Sequence, residues 1–112
     1  MLGKTKTHAM FTDLTATGDG GTVQPIMNKR TFQAVGTTSS GAGTATVKIW
    51  VSNDNVGFLL LGTITLVLAT TVTAGLNADG FASDAPWKYV YAELDAVTGT
   101  GAAVTCTMGC EY

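Results

Sequence analysis

A chain of 112 residues with only 12% charged side chains and a net charge of −2 has room for one hydrophobic core and not for two. The charged share is about half of the roughly 25% usual in soluble domains, and the basic residues are scattered, Lys4/Lys6 and Lys29–Arg30 being the densest groups. A nucleic-acid partner needs a basic stripe to replace phosphate counterions, so none is expected.

Thr and Gly fill the vacancy, with 20 and 14 copies. Thr is β-branched and suits a pleated, half-wet surface, while Gly supplies turns. Many short strands are expected, with little or no helix.

In chain order, the opening Met-Leu-Gly-Lys-Thr-Lys-Thr-His is followed by no apolar run, so a secretory leader is not expected. His8–Thr17 reads as a candidate strand, Gly18-Asp19-Gly20-Gly21 as a turn, and Thr22–Met27 as a strand that Pro25 confines to an edge or bulge. Residues 1–30 are expected to form an N-terminal arm with edge strands, lying along the domain or reaching a neighbour. Residues 31–112 are expected to form its core.

Thr31–Val35 reads as a strand, and the glycine-rich loop Gly36–Gly43 is expected to join it as a hairpin to the next. That next strand, Thr44–Val51, alternates strictly: Val47, Ile49 and Val51 on one face, Thr46, Lys48 and Trp50 on the other. Ser52-Asn53-Asp54-Asn55-Val56-Gly57 has turn chemistry, so a hairpin to Phe58–Leu68 is expected. In that second strand Phe58, Leu60, Ile64, Leu66 and Leu68 share one face. Leu59 and Leu61 fall on the other, and a two-layer sandwich needs only one greasy face per strand. Those two leucines are surplus and call for a cover from this chain or another.

Val56 to Leu76 carries no charge over 21 residues, long enough to cross a bilayer. Five threonines and three glycines interrupt it, and Asp54 and Asp79 flank it where Lys or Arg would be expected. Two consecutive strands explain it better.

Asn77-Ala78-Asp79-Gly80 reads as a turn before a short segment at Phe81–Ser83. In Trp87–Leu94, Lys88, Val90, Ala92 and Leu94 alternate with Trp87, Tyr89, Tyr91 and Glu93. Either set could face inward. The first is aliphatic apart from a lysine able to snorkel out, which would turn the aromatic set outward or into a subunit contact. Thr98-Gly99-Thr100-Gly101 is expected to close a last hairpin, whose return strand puts Val104, Cys106, Met108 and Cys110 on one face. Its loop echoes Gly36–Gly43.

The pattern predicts an all-β, single-domain fold: an antiparallel β-sandwich of jelly-roll type with an extended N-terminal arm. Chemistry is sparse. One histidine, His8, sits in the arm, a poor place to hold a general base. Cys106 and Cys110 would lie about 13 Å apart on one strand, beyond disulfide reach, and with one histidine they are too few for a closed zinc site. Asn53, Asp54, Asn55, Asp79 and Asp84 are oxygen donors, but their spacing fits no EF-hand loop and turn chemistry accounts for them. No enzyme activity, cofactor or metal is expected. The aromatic and leucine surplus remains: Trp50, Leu59, Leu61, Trp87, Tyr89 and Tyr91. These cannot all be interior in so small a domain, and Trp and Tyr commonly anchor contacts between proteins. They are the candidate protein-interface residues.

The segments TVKIWVSNDNVGFLLLGTITL (Thr46–Leu66) and DGFASDAPWKYVYAELDAVTGTGAAVTCTMG (Asp79–Gly109) together resemble small structural proteins of tailed bacteriophages. The resemblance rests on a Ser-Asn-Asp turn, an LGTITL strand, a PWKYV strand and a TGTGAAVT hairpin. It covers a little over half of the chain, and the arm contributes nothing to it. It implies a capsid decoration (cementing) protein with a jelly-roll core, made in the host cytoplasm and sitting on the capsid exterior of the virion. It further implies a homo-oligomer, a trimer foremost, with the major capsid protein as partner. The Ser52-Asn53-Asp54 turn also resembles discoidin-type carbohydrate-binding sandwiches. That keeps a carbohydrate-binding tail or baseplate adhesin open, and a tail-tube or connector subunit is a further alternative.

Overall fold

A computed structural model describes residues 5–25 and 29–111. It contains eight strands: β1 (Thr5–Leu14), β2 (Gly18–Asp19), β3 (Arg30–Thr37), β4 (Ser40–Ser52), β5 (Leu59–Leu68), β6 (Ala78–Ser83), β7 (Tyr89–Thr100) and β8 (Ala103–Glu111). They form two four-stranded sheets, ordered β1-β8-β3-β6 and β2-β7-β4-β5. Every pairing is antiparallel.

The order has a simple origin. β4 pairs with β5, β3 with β6, β2 with β7 and β1 with β8, so the chain is one long two-stranded ribbon folded back at residues 53–58. Rolling that ribbon brings β3 beside β8 and β4 beside β7, which is the jelly-roll arrangement. The sandwich expected from the sequence is present.

The core lies between the sheets, and strand alternation builds it. Val47, Ile49 and Val51 of β4, Val90, Ala92 and Leu94 of β7, and Val104, Cys106 and Met108 of β8 are buried. The Lys88 set therefore points inward from Val90 onward, and Tyr89, Tyr91 and Glu93 point out. Phe32 and Ala34 of β3 complete the layer opposite, with Met10 and Phe11 of β1.

The described part of residues 1–30 lies along the sandwich. β1 is an edge strand on β8, and β2 is a two-residue edge on β7. Gly20, whose amide donates to the Ala92 carbonyl, and Val23, which bridges Val90, continue that line; Ile26 and Met27, the end of the expected second strand, lie outside the described residues.

The two glycine-rich loops are not hairpins. β3 and β4 belong to different sheets, as do β7 and β8, so both loops carry the chain across the sandwich. They meet there. The Ser39 amide and hydroxyl both donate to the Thr100 carbonyl, at 2.9 and 3.1 Å, and the Thr44 amide donates to Thr98 Oγ1 at 3.0 Å. Gly43 lies so close to the Thr98 carbonyl that a Cβ there would overlap it.

β5 also departs from simple alternation. Ile49 pairs with Gly62 but Trp50 pairs with Leu60, so Leu61 is an extra, bulged residue. Ile64, Leu66 and Leu68 face the core. Past the bulge the parity reverses, because one extra residue turns every later side chain to the other side. Leu60 therefore joins Trp50 on the outer face, while Leu61 packs against the core. A second bulge places Asp95 between the Thr46–Ala96 and Val47–Leu94 pairs, where it meets Lys48 at 3.3 Å.

The uncharged stretch 56–76 supplies one strand and a loop, not two consecutive strands. Among the described residues no helix is long and apolar enough to cross a membrane. The expected turn at 77–80 lies earlier, at residues 75–77, and Ala78–Gly80 already pair with β3. Asn77 is instead a buried pin. Its Nδ2 donates to the Thr71 carbonyl at 3.0 Å, and its Oδ1 accepts from the Thr73 amide.

Candidate protein-interface surface

β5 is an edge strand of the second sheet. Of its outer side chains, Leu60, Thr63, Thr65 and Val67 are exposed, and so is Leu59, which stands opposite Val51 at the start of the strand. The loops at its two ends add more. Among the described residues the exposed large aliphatic side chains are Val56, at 83% exposure, and Leu59, Leu60, Val67, Val72 and Leu76, at 44 to 57%. All six fall between residues 56 and 76. No Asp, Glu, Lys or Arg occurs in that span, so an apolar rim marks one side of the sandwich in two clusters: Val56, Leu59 and Leu60 at one end of β5, and Val67, Val72 and Leu76 at the other, with the exposed Thr63 and Thr65 between them.

The rim is held in shape by its two ends. At the hairpin, Asp54 Oδ1 accepts from the Ser52 hydroxyl at 2.7 Å and from the Val56 and Gly57 amides at 2.9 Å. Ser52 Oγ in turn accepts from the Asp54 and Asn55 amides. These donors stabilise the charged carboxylate and lower the Asp54 pKa to about 2, the Ser52 hydroxyl contributing most. Asn55 takes a left-handed φ of 61° in the same turn, a conformation asparagine tolerates. At the other end the Val67 amide donates to the Leu76 carbonyl, so the 69–77 loop folds back over the strand edge and its buried Asn77 fixes it there.

The six residues expected at an interface divide. Leu59 lies on the rim. Trp50 and Tyr91 are cross-strand neighbours on the outer face, in one row with Leu60, their rings 6.5 Å apart and within 16° of parallel. Phe58 meets Tyr91 edge-on at 4.9 Å, and the Trp50 indole donates to Glu93 Oε1 at 3.0 Å. Burial, then the nearby Asp19 and Glu93 charges, raise the Tyr91 pKa. Tyr89 is half-buried, with the Lys88 ammonium 5.4 Å from its ring centre. Leu61 and Trp87 pack against the core, so much of their surface is covered by this chain.

Sequence reasoning missed Val56, Leu60, Val67, Val72 and Leu76 of the rim, and Phe58 of the aromatic group. The signal was present: the uncharged run that raised the question of a membrane span contains all six rim residues, together with the core residues Ile64, Leu66 and Leu68.

Elsewhere, Lys29, Arg30, Ser83, Asp84 and Cys110 line an open depression of about 470 Å³. Burial lowers the Arg30 pKa, partly opposed by Cys110. His8 is exposed on β1, Cys106 and Cys110 are free thiols, and among the described residues no three or more His, Cys, Asp or Glu side chains gather as metal ligands.

Fold and surface together define an antiparallel jelly-roll sandwich with one apolar rim. The crystal structure of the SPBc2 prophage-derived protein YomS is similar to it, with a TM-score of 0.62, 14% sequence identity, and coverage of 97% of this chain and 94% of that one. At that identity the likeness is one of fold. No family model and no curated protein matches the sequence.

Proposed function

We propose that this chain is a bacteriophage virion structural protein, a non-enzymatic capsid decoration protein that self-associates and binds the outer surface of the head. The observation that carries the reading is the apolar rim of residues 56–76. Two clusters of exposed aliphatic side chains, at the two ends of one edge strand of a small domain, favour contact with another protein. The fold likeness to a prophage-derived protein supports a phage setting, and so does the resemblance of Thr46–Leu66 and Asp79–Gly109 to tailed-phage structural proteins. Mechanistically, a domain seated across a joint between capsid subunits adds buried area and makes the joint harder to open. About 800 Å² per partner suffices for a specific contact, and symmetric repetition multiplies its effect.

The test is co-sedimentation of the purified protein with preformed capsids that lack it. The protein is expected to pellet with the capsids and to raise their heat resistance. The double variant Leu60→Ser/Val67→Ser, altered only at exposed positions, is expected to lose both effects. Failure of the unaltered protein to sediment would refute the reading.

A further inference from the structure

Each sheet ends in two edge strands, and three of the four are defended. β1 carries Asp13 and is broken by two register shifts, β2 is two residues long and ends in Asp19, and β6 holds Asp79. Charge, irregularity and shortness all keep a sheet edge from pairing with another chain. β5 carries no charge over ten residues, and its bulge lies toward one end. Its middle has backbone to offer. The Val67 amide turns away from β4, to the Leu76 carbonyl, and alternate residues of an antiparallel strand turn their backbone groups the same way. Thr63 and Thr65 therefore aim amide and carbonyl off the sheet edge, where none of the described strands meets them.

The edge is also symmetric about Ile64. Thr63 and Thr65 are its neighbours. Counted in ladder positions, Leu60 and Val67 each stand three from it, because Leu61 is the extra residue of the bulge. Each end carries an exposed aliphatic cluster. A two-fold contact needs this arrangement, in which residue i meets j and j meets i. We propose that β5 pairs antiparallel with β5 of a second copy about an axis at Ile64, joining the two sheets edge to edge. Thr63 of each copy exchanges its backbone hydrogen bonds with Thr65 of the other, and their side chains lie side by side on the outer face. The turn beside Val67 ends the ladder there, so Leu59 and Leu60 of one copy meet Val67, Val72 and Leu76 of the other through side chains. No charge between residues 56 and 76 opposes the contact. Ten residues of strand are about 34 Å long, and the smallest extent of the sandwich is 17 Å. A strip of that size covers about 500 Å² on each copy, and the total of about 1,000 Å² reaches the lower bound for a specific interface. Such pairing rests on the rim being a protein contact, and makes a second copy its partner.

The test is sedimentation velocity and amide exchange of the full chain alone, without capsids. A dimer is expected, with a dissociation constant of about 10 µM. The Thr63 and Thr65 amides are expected to exchange about tenfold more slowly where the dimer prevails than where the monomer does. Thr63→Lys/Thr65→Lys and Thr63→Glu/Thr65→Glu, each altered only at exposed positions, are expected to stay monomeric, and their equimolar mixture to dimerise again. A chain that stays monomeric up to about 1 mM, a trimer, or a mixture that stays monomeric overturns the proposal. Attachment to capsids is read separately: a monomer that still sediments with capsids overturns the pairing and leaves that attachment standing.

Discussion

The ring of Phe81 rests on Gly62, so that a Cβ on that glycine would stand 2.7 Å from the ring's Cζ. The two residues belong to opposite sheets, at the side of the sandwich where β5 and β6 meet, and Phe81 also packs on Phe32 with ring centres 5.3 Å apart. The ring thus closes the core beside the β5 bulge. Gly62→Ala is expected to push Phe81 off its seat and cost about 1–3 kcal/mol, as overpacking does. Urea unfolding measures it; an unchanged midpoint would show that the ring moves freely.

Asn77→Ala removes the pin of the 69–77 loop. Its two side-chain hydrogen bonds lie within a fully buried residue, so about 2 kcal/mol of destabilisation is expected. The loop carries Val72 and Leu76, and amide hydrogen exchange should quicken there first. Uniform quickening across all eight strands would contradict a local role.

The Asp54 carboxyl is held down to about 2 from an ordinary 3.8. A depressed folded-state pKa stabilises the fold fully above the unfolded value and loses that contribution as pH falls towards the folded one. The 53–58 turn is therefore expected to weaken between about pH 4 and pH 2. Carboxyl NMR titration should give a midpoint near 2 for Asp54, and Asp54→Asn should flatten stability across that window.

Burial pushes the Cys106 thiol up to about 12. Because thiolate is the reactive form, Cys106 is expected to resist alkylation at neutral pH in the native protein and to react once the chain is unfolded. The linkage has the opposite sign from Asp54. Above the ordinary thiol value of 9.0 the unfolded chain ionises and the folded one does not, so the thiol's contribution falls as pH rises. Mass spectrometry after timed iodoacetamide treatment reads the first effect, and rapid native labelling of Cys106 would refute it.

Much of the sandwich was legible in the sequence, because half-buried strands write their two faces into every second residue. β4 and the inner face of β8 follow from that period, and the hairpin between β4 and β5 from it together with the turn chemistry of Ser52–Gly57. The crossings were not legible. A Gly-Thr-Ser loop has the same chemistry whether the next strand joins its own sheet or the opposite one, so Gly36–Gly43 and Thr98–Gly101 read as hairpins. The Leu61 bulge was hidden for a related reason: Phe58–Leu61 is apolar at all four positions, so a parity slip there leaves the pattern unchanged. Asn77 looked like a turn residue because the same amide that suits a turn also serves to bind backbone from within. Of the candidate interface, the surplus of leucine and aromatics was visible, but its division was not. Trp50 and Tyr91 are neighbours across 40 residues of sequence, a relationship only the folded ribbon creates.

That ribbon also sets when the molecule can form. β8 is made last, yet it lies between β1 and β3, inside its sheet. Until it leaves the ribosome β1 has no neighbouring strand, and β3 has only β6. The β4–β5 hairpin can close early, but each further pairing encloses a longer loop, and non-local closures of this kind are slow. Completion of the first sheet thus waits for β8, the last of the eight strands to emerge, and for that interval the edges of β1 and β3 that it will fill stand open.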